Sequence, residues 1–92
     1  MIIPETTVGR IGPWRLGVGA TFQDDAYVDA SGEARRGPTA LISVMREGAG
    51  PDAERQVTVG AGAEIVLDDT ARVRIVRVGA GEEGFVEVQE LR

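Results

Sequence analysis

The chain has 92 residues, 42% hydrophobic and 27% charged, with a formal net charge of −5. That is enough apolar material for one modest core and too much for a disordered chain. Its longest aliphatic run, Leu41 to Met45, is interrupted by Ser43 and falls far short of the ~20 residues a membrane-spanning helix needs, while the acidic balance argues against nucleic acid or an anionic membrane as partner.

Cysteine, histidine, lysine and asparagine are all missing. Disulfides and thiolate or imidazole metal sites are therefore excluded. All ten basic residues are arginine, and alanine, glycine and valine abound, as a GC-rich genome would dictate. The arginines then carry no message about phosphate recognition. The opening Met-Ile-Ile-Pro-Glu-Thr-Thr has no basic region and no long apolar segment, so no signal peptide is expected and the cytoplasm is the expected location.

Residues 1–10 read as an extended arm, with Thr6-Thr7-Val8 pairing at an edge. From Gly12 onward, Trp14, Leu16, Val18, Ala20 and Phe22 recur with a period of two, the pattern of a strand with one buried face. Residues 24–38 fit either a hairpin, with Ala30-Ser31-Gly32 as its turn, or one long loop. Thr39 to Glu47 is apolar on both faces, Leu41 and Met45 on one and Ile42 and Val44 on the other. That predicts a central strand covered on both sides. Gly48 to Ala53 is a loop, with room for a single helical turn at Pro51 to Glu54.

Four short strands follow: Gln56–Val59, Glu64–Leu67, Ala71–Val78 and Phe85–Leu91. The first is expected to pair with the 39–47 strand, Glu47 opposite Arg55 and Met45 opposite Val57. In the last hairpin, Val78 opposite Val86 sets Arg77 against Glu87, Val76 against Val88, Arg74 against Glu90, Ile75 against Gln89 and Val73 against Leu91. A bulge near Ile75-Val76 would let Val73, Ile75, Val76 and Val78 share one core. The predicted core is Trp14, Leu16, Val18, Leu41, Val57, Val59, Ile65, Leu67, Val73 and Ile75.

Little in the chain points to chemistry. Gly79-Ala80-Gly81-Glu82-Glu83-Gly84 has the letters of a dinucleotide-binding turn, but a strand follows where the pyrophosphate needs a helix N-terminus, and two glutamates would repel phosphate. The acidic groups Asp24, Asp25, Asp29 and Glu33, and Asp68-Asp69, miss the spacing of a calcium loop and suit turns. Arg72, Arg74, Arg77 and Arg35-Arg36 are better explained by cross-strand pairing with acids, such as Glu87 and Glu90, than by an anion site. Acid–base work would fall to carboxylates or Tyr27, and Ser43 has no base near it in sequence. No catalytic residue, metal ligand or cofactor is assigned. Tyr27 and Phe85, beside irregular segments, are the candidate residues for lining a ligand pocket or an interface.

Three segments, Trp14-Arg15-Leu16-Gly17-Val18, Val57-Thr58-Val59-Gly60 leading to Glu64-Ile65-Val66-Leu67, and Arg72 to Val78, together resemble a family of small all-β domain proteins of actinobacteria. The resemblance covers about half the chain and implies an all-β fold and no particular activity. The expected architecture is one compact antiparallel domain, a β-sandwich or partly open small β-barrel of six to eight short strands. The expected role is a non-enzymatic protein-interaction module or accessory subunit that self-associates as a homodimer. The alternative is a small-ligand-binding barrel, or a barrel enzyme of a biosynthetic pathway that catalyses by shape and a carboxylate.

Overall fold

The computed structural model describes residues 1–91, for Pro51 the backbone alone. Eight strands form two four-stranded antiparallel sheets packed face to face: β1 (Ile2–Pro4), β2 (Val8–Ile11), β3 (Trp14–Val28), β4 (Ala34–Arg46), β5 (Arg55–Gly60), β6 (Glu64–Val66), β7 (Arg72–Gly79) and β8 (Phe85–Leu91). The first sheet has the order β1-β8-β7-β6, the second β2-β3-β4-β5. Within each sheet strands pair with their neighbours in sequence, and β1 pairs with β8. The ladders break only where the chain crosses between sheets, at β1–β2 and β5–β6, so the sheets do not close into a barrel. The all-β sandwich is thus as predicted, and the one helical element among the described residues is a 3₁₀ turn at Pro51–Ala53.

The two crossings are splayed hairpins. At β1–β2 the Pro4 carbonyl accepts from the Thr7 N–H at 3.1 Å and from its hydroxyl at 2.6 Å. At β5–β6 the Arg55 guanidinium donates to the Val66 carbonyl where backbone pairing has lapsed. The N-terminal segment is not a free arm. Met1 and Val88 exchange two backbone hydrogen bonds, Ile3 pairs with Val86, and Ile3 is 1% exposed in the core.

The core lies between the sheets. Leu16, Val18, Ala40, Ile42, Val44 and Val59 from the second sheet meet Ile3, Ile65, Val73, Ile75, Val86 and Val88 from the first. Trp14 and Val57 pack at its margin. Burial at about 25 cal/mol per Å² of apolar surface is the dominant stabilising term. Residues 24–38 form the hairpin of the two alternatives, with Tyr27 opposite Arg35 and Gly32 at φ 84° in the turn.

Three expectations need correction. Phe22 lies on the opposite face, 46% exposed. The register shifts between Val18 and Ala20; Gly19 is the extra residue, and a one-residue slip sends Ala20 to Phe22 to the opposite faces, up to a second shift between Phe22 and Asp25. Leu41 is only half-buried, because β4 turns Ala40, Ile42 and Val44 inward. For the same reason Val57 lies opposite Ile42, and Arg55 opposite Val44. The expected register would have put Val57 on the outer face with Met45.

The last hairpin keeps the expected pairs next to its turn, Val78 with Val86 and Arg77 with Glu87, and has its irregularity between Ile75 and Arg77. Val73 and Ile75 are buried, and Val78 packs on the core. Val76, the bulged residue, points out and is 43% exposed. Past the bulge the pairs differ from expectation by one: Ile75 faces Val88, Arg74 faces Gln89 and Val73 faces Glu90.

Candidate interaction face

The two sheets differ in what they show on their outer faces. That of the first sheet is laced with ion pairs. Glu64, opposite Arg74 in the ladder, accepts from Arg74 at 3.2 Å and from Arg72 at 3.4 Å. Arg77 reaches Glu87 at 2.6 Å and lies 5.0 Å over the Phe85 ring. Exposed pairs of this kind contribute at most about 1 kcal/mol each. They do make a face that is well solvated.

The outer face of the second sheet has no charge at its centre. Strand alternation places Val8, Gly17, Ala20, Leu41, Ser43, Met45, Gln56 and Thr58 there, as the partners Val8–Gly17, Gly17–Ser43, Ala20–Leu41, Arg15–Met45, Ser43–Gln56 and Leu41–Thr58 require. Gly17 and Gly19 leave the middle without side chains, a shallow hollow of about 290 Å³ edged by Val8 and Met45. Val8 is 55% exposed, and Leu41 and Met45 are half-buried. A Cβ added at Gly17 would have Val8, Met45 and Ser43 as its nearest neighbours, at 3.7–3.9 Å, so the glycine is not forced by its own backbone or packing.

Charges gather at the two ends of this face. At one end Arg10 and Arg15 share Glu47, at 3.2 and 3.6 Å, with Glu54 on the margin of the hollow. At the other end Arg35 pairs with Asp29 at 3.7 Å and Asp25 accepts from Thr39 at 3.1 Å, whereas the pair of Arg36 with Asp24, at 2.9 Å, lies on the opposite face, one residue out of phase.

Tyr27 and Phe85 stand in different sheets and do not come together. Each covers a glycine. The Tyr27 ring occupies the space above Gly60 and its hydroxyl donates to the Ala61 carbonyl at 2.9 Å. Phe85 lies directly across from Gly79 and fills its side-chain space. An aromatic ring over a strand glycine shields backbone that would otherwise be solvated. Phe85 also lines a surface groove of about 710 Å³ with Ile2, Pro4, Glu82 and Glu83.

The acidic clusters are turn locks. Asp29 accepts from the Ser31 hydroxyl at 2.6 Å and from the Ser31 and Glu33 N–H groups at 2.9 and 3.0 Å. Asp68 accepts from the Thr70 N–H and hydroxyl at 2.8 and 3.0 Å. Bonding to Ser31 lowers the Asp29 pKa, and bonding to Thr70 lowers that of Asp68. Among the described residues no group of His, Cys, Asp or Glu is arranged to hold a metal ion.

Family models, curated proteins and solved structures offer no match to this chain. Any assignment of function therefore rests on the geometry above. The residues that sequence reasoning missed are those of the outer face, Val8, Gly17, Ser43 and Met45. A signal was present: Leu41-x-Ser43-x-Met45 alternates out of phase with Ile42-x-Val44, which predicts cover for both faces of β4. The chain supplies a packed layer for one face only.

Proposed function

We propose that the chain is a non-enzymatic protein-interaction module, and that the outer face of the second sheet is its contact surface. One observation carries this: β4 is apolar on both faces, and only one of them is covered by the first sheet. A sheet face meant for water alternates apolar-in with polar-out, as β7 does with Arg72 and Arg74. Leu41 and Met45 depart from that rule beside two glycines, in a patch bordered by charge, which is the layout of an interface core and rim. The alternative of an enclosed small-ligand site draws less support, since buried side chains occupy the space between the sheets.

The test is a photo-crosslinking amino acid placed at Leu41 or, as control, at Val66 on exposed β6, in the organism that makes the protein. Adducts are expected at Leu41 and not at Val66. Their absence at Leu41, with the variant folded and abundant, would sink the proposal.

A further inference from the structure

We infer that the groove along β1, on the outer face of the first sheet, takes an extended segment of a basic protein, with an arginine two residues from an apolar residue. The groove lies on the opposite sheet from the face proposed above, and the two readings stand or fall separately.

The strand register builds the groove. Ile3 is buried and pairs with Val86, so its neighbours Ile2 and Pro4 point outward, Ile2 opposite Glu87 and Pro4 opposite Phe85. On β6 to β8 this face carries Glu64, Arg72, Arg74, Arg77 and Glu87, but β1 adds only apolar side chains to it. Ile2 is 54% exposed. Together Ile2, Pro4 and Phe85 floor a groove of about 710 Å³ that is open to solvent. A small molecule needs most of its surface covered, which an open groove does not provide. An extended chain does not need that.

Charge selects the occupant. Glu82 and Glu83, both exposed in the β7–β8 turn, border the groove, and neither pairs with an arginine among the described residues. Glu5 borders it too. The Thr21 N–H and hydroxyl both donate to Glu5 Oε1, which fixes the carboxylate and leaves Oε2 for another donor. The cation in the groove, Arg77, is already engaged by Glu87 at 2.6 Å. Three carboxylates thus wait on an apolar floor, and the net charge of −5 draws a basic partner toward them.

Arg77 also shows what the floor accepts, since its guanidinium lies 5.0 Å over the Phe85 ring while its head meets a carboxylate. An incoming arginine would lay its stem on Pro4 and Phe85 and carry its head to Glu82 and Glu83. Lysine lacks the planar fork that both stacks and bonds carboxylates in pairs. Alternate side chains of an extended segment fall on one side, about 7 Å apart, so a residue two positions from that arginine meets Ile2. The rim is preformed: Thr6 holds a φ of 65°, an outlying value for a β-branched residue, with its N–H bonded to the Val18 carbonyl at 2.7 Å.

A random heptapeptide library displayed on phage and selected on the immobilised wild type tests this, with recovered peptides then titrated into isotope-labelled protein by NMR. The recovered sequences are expected to carry arginine two positions from an apolar residue, and to shift the amides of Ile2, Glu5, Thr6, Glu83 and Phe85. Glu82→Arg with Glu83→Arg should weaken binding at least about tenfold, and Ile2→Ser about threefold, with circular dichroism confirming that each variant is folded. Glu33→Arg with Asp69→Arg makes the same change of net charge away from the groove and should leave binding unchanged. A selection that enriches no basic sequence, or an equal loss in both double variants, would overturn the inference. Shifts centred on Val8, Leu41 and Met45 would overturn it too, and would assign the peptide to the face proposed above.

Discussion

Gly84 sits buried where the β1–β2 crossing, β3 and the β7–β8 turn meet, and replacing it by alanine gives a sharp test of that corner. A Cβ there would lie 2.6 Å from Thr21 Oγ1, 3.1 Å from its Cγ2 and 3.3 Å from Glu5 Cδ. Its φ is not in the left-handed region, so the cost is steric. The same two side chains are locked to each other: the Glu5 carboxylate accepts from the Thr21 N–H at 2.7 Å and from its hydroxyl at 3.0 Å. Overpacking of this kind costs about 1–3 kcal/mol, and disturbing a hydrogen bond to a carboxylate adds about 1.5–3 kcal/mol where the bond is broken. A loss of about 2–4 kcal/mol is expected, read from urea titrations with an unchanged m-value. At about 4–8 °C per kcal/mol for a domain of this size, Tm should fall by at least ~8 °C. Thr21→Ala removes both of the closest atoms, so Gly84→Ala should cost about 1 kcal/mol less or better in that background, a coupling within the usual range for contacting residues. A neutral Gly84→Ala, or a cost that Thr21→Ala leaves unchanged, would refute the packing described for this corner.

Two further outcomes follow from the turns and the aromatic covers. Asp29 and Asp68 have pKa values below the ordinary 3.8, so at low pH the unfolded chain takes up more protons than the folded one; their stabilisation is complete above that value and is lost as pH falls through the lowered folded pKa. Tm measured from pH 6 to 2.5 should therefore fall steeply below about pH 4, and Asp29→Asn with Asp68→Asn should flatten that fall; an unchanged slope in the double variant would count against the turn locks. Tyr27→Phe keeps the ring over Gly60 and loses the bond to the Ala61 carbonyl, so it should cost about 1 kcal/mol, whereas Tyr27→Ala should cost clearly more; equal costs would mean that the ring contributes nothing as a cover.

Much of the fold could be read from the sequence because its strands are short, alternating and joined to their neighbours. Leu16-x-Val18 and Val73-x-Ile75 announce a buried face without any knowledge of the partner strand, and both are buried. The pairs beside the β7–β8 turn followed from matching charge and apolarity across a short hairpin; the bulge lies where expected, but it turns Val76 out to solvent and not into the shared core expected of it. What resisted was phase. Gly19 gives no sign whether it continues a strand or bulges, yet that choice decides whether Ala20 and Phe22 face the core. The two faces of β4 are nearly equal in composition, so Leu41 and Met45 could be exchanged for Ile42 and Val44 with no local conflict. Ile3 was illegible for another reason: it pairs beside a contact spanning 87 positions, Met1 with Val88, and nothing within Met1–Glu5 reports it. The candidate site was hidden by the same ambiguity, since a strand apolar on both faces reads as a doubly covered core strand until the second layer is found to be missing.

The Pro4 carbonyl, engaged twice by Thr7, bears on how copies of this chain avoid joining edge to edge. Along β1, Met1 and Glu5 turn their hydrogen-bonding groups toward β8, and antiparallel alternation assigns Ile3 the same direction and leaves Ile2 and Pro4 facing outward. Pro4 has no N–H to offer and its oxygen is already occupied. An incoming strand would find a single residue, Ile2, to grip, too little to template the growth of a continuous cross-β stack. The β1 margin of the first sheet is thus chemically blunt, and strand addition there finds no ladder to extend.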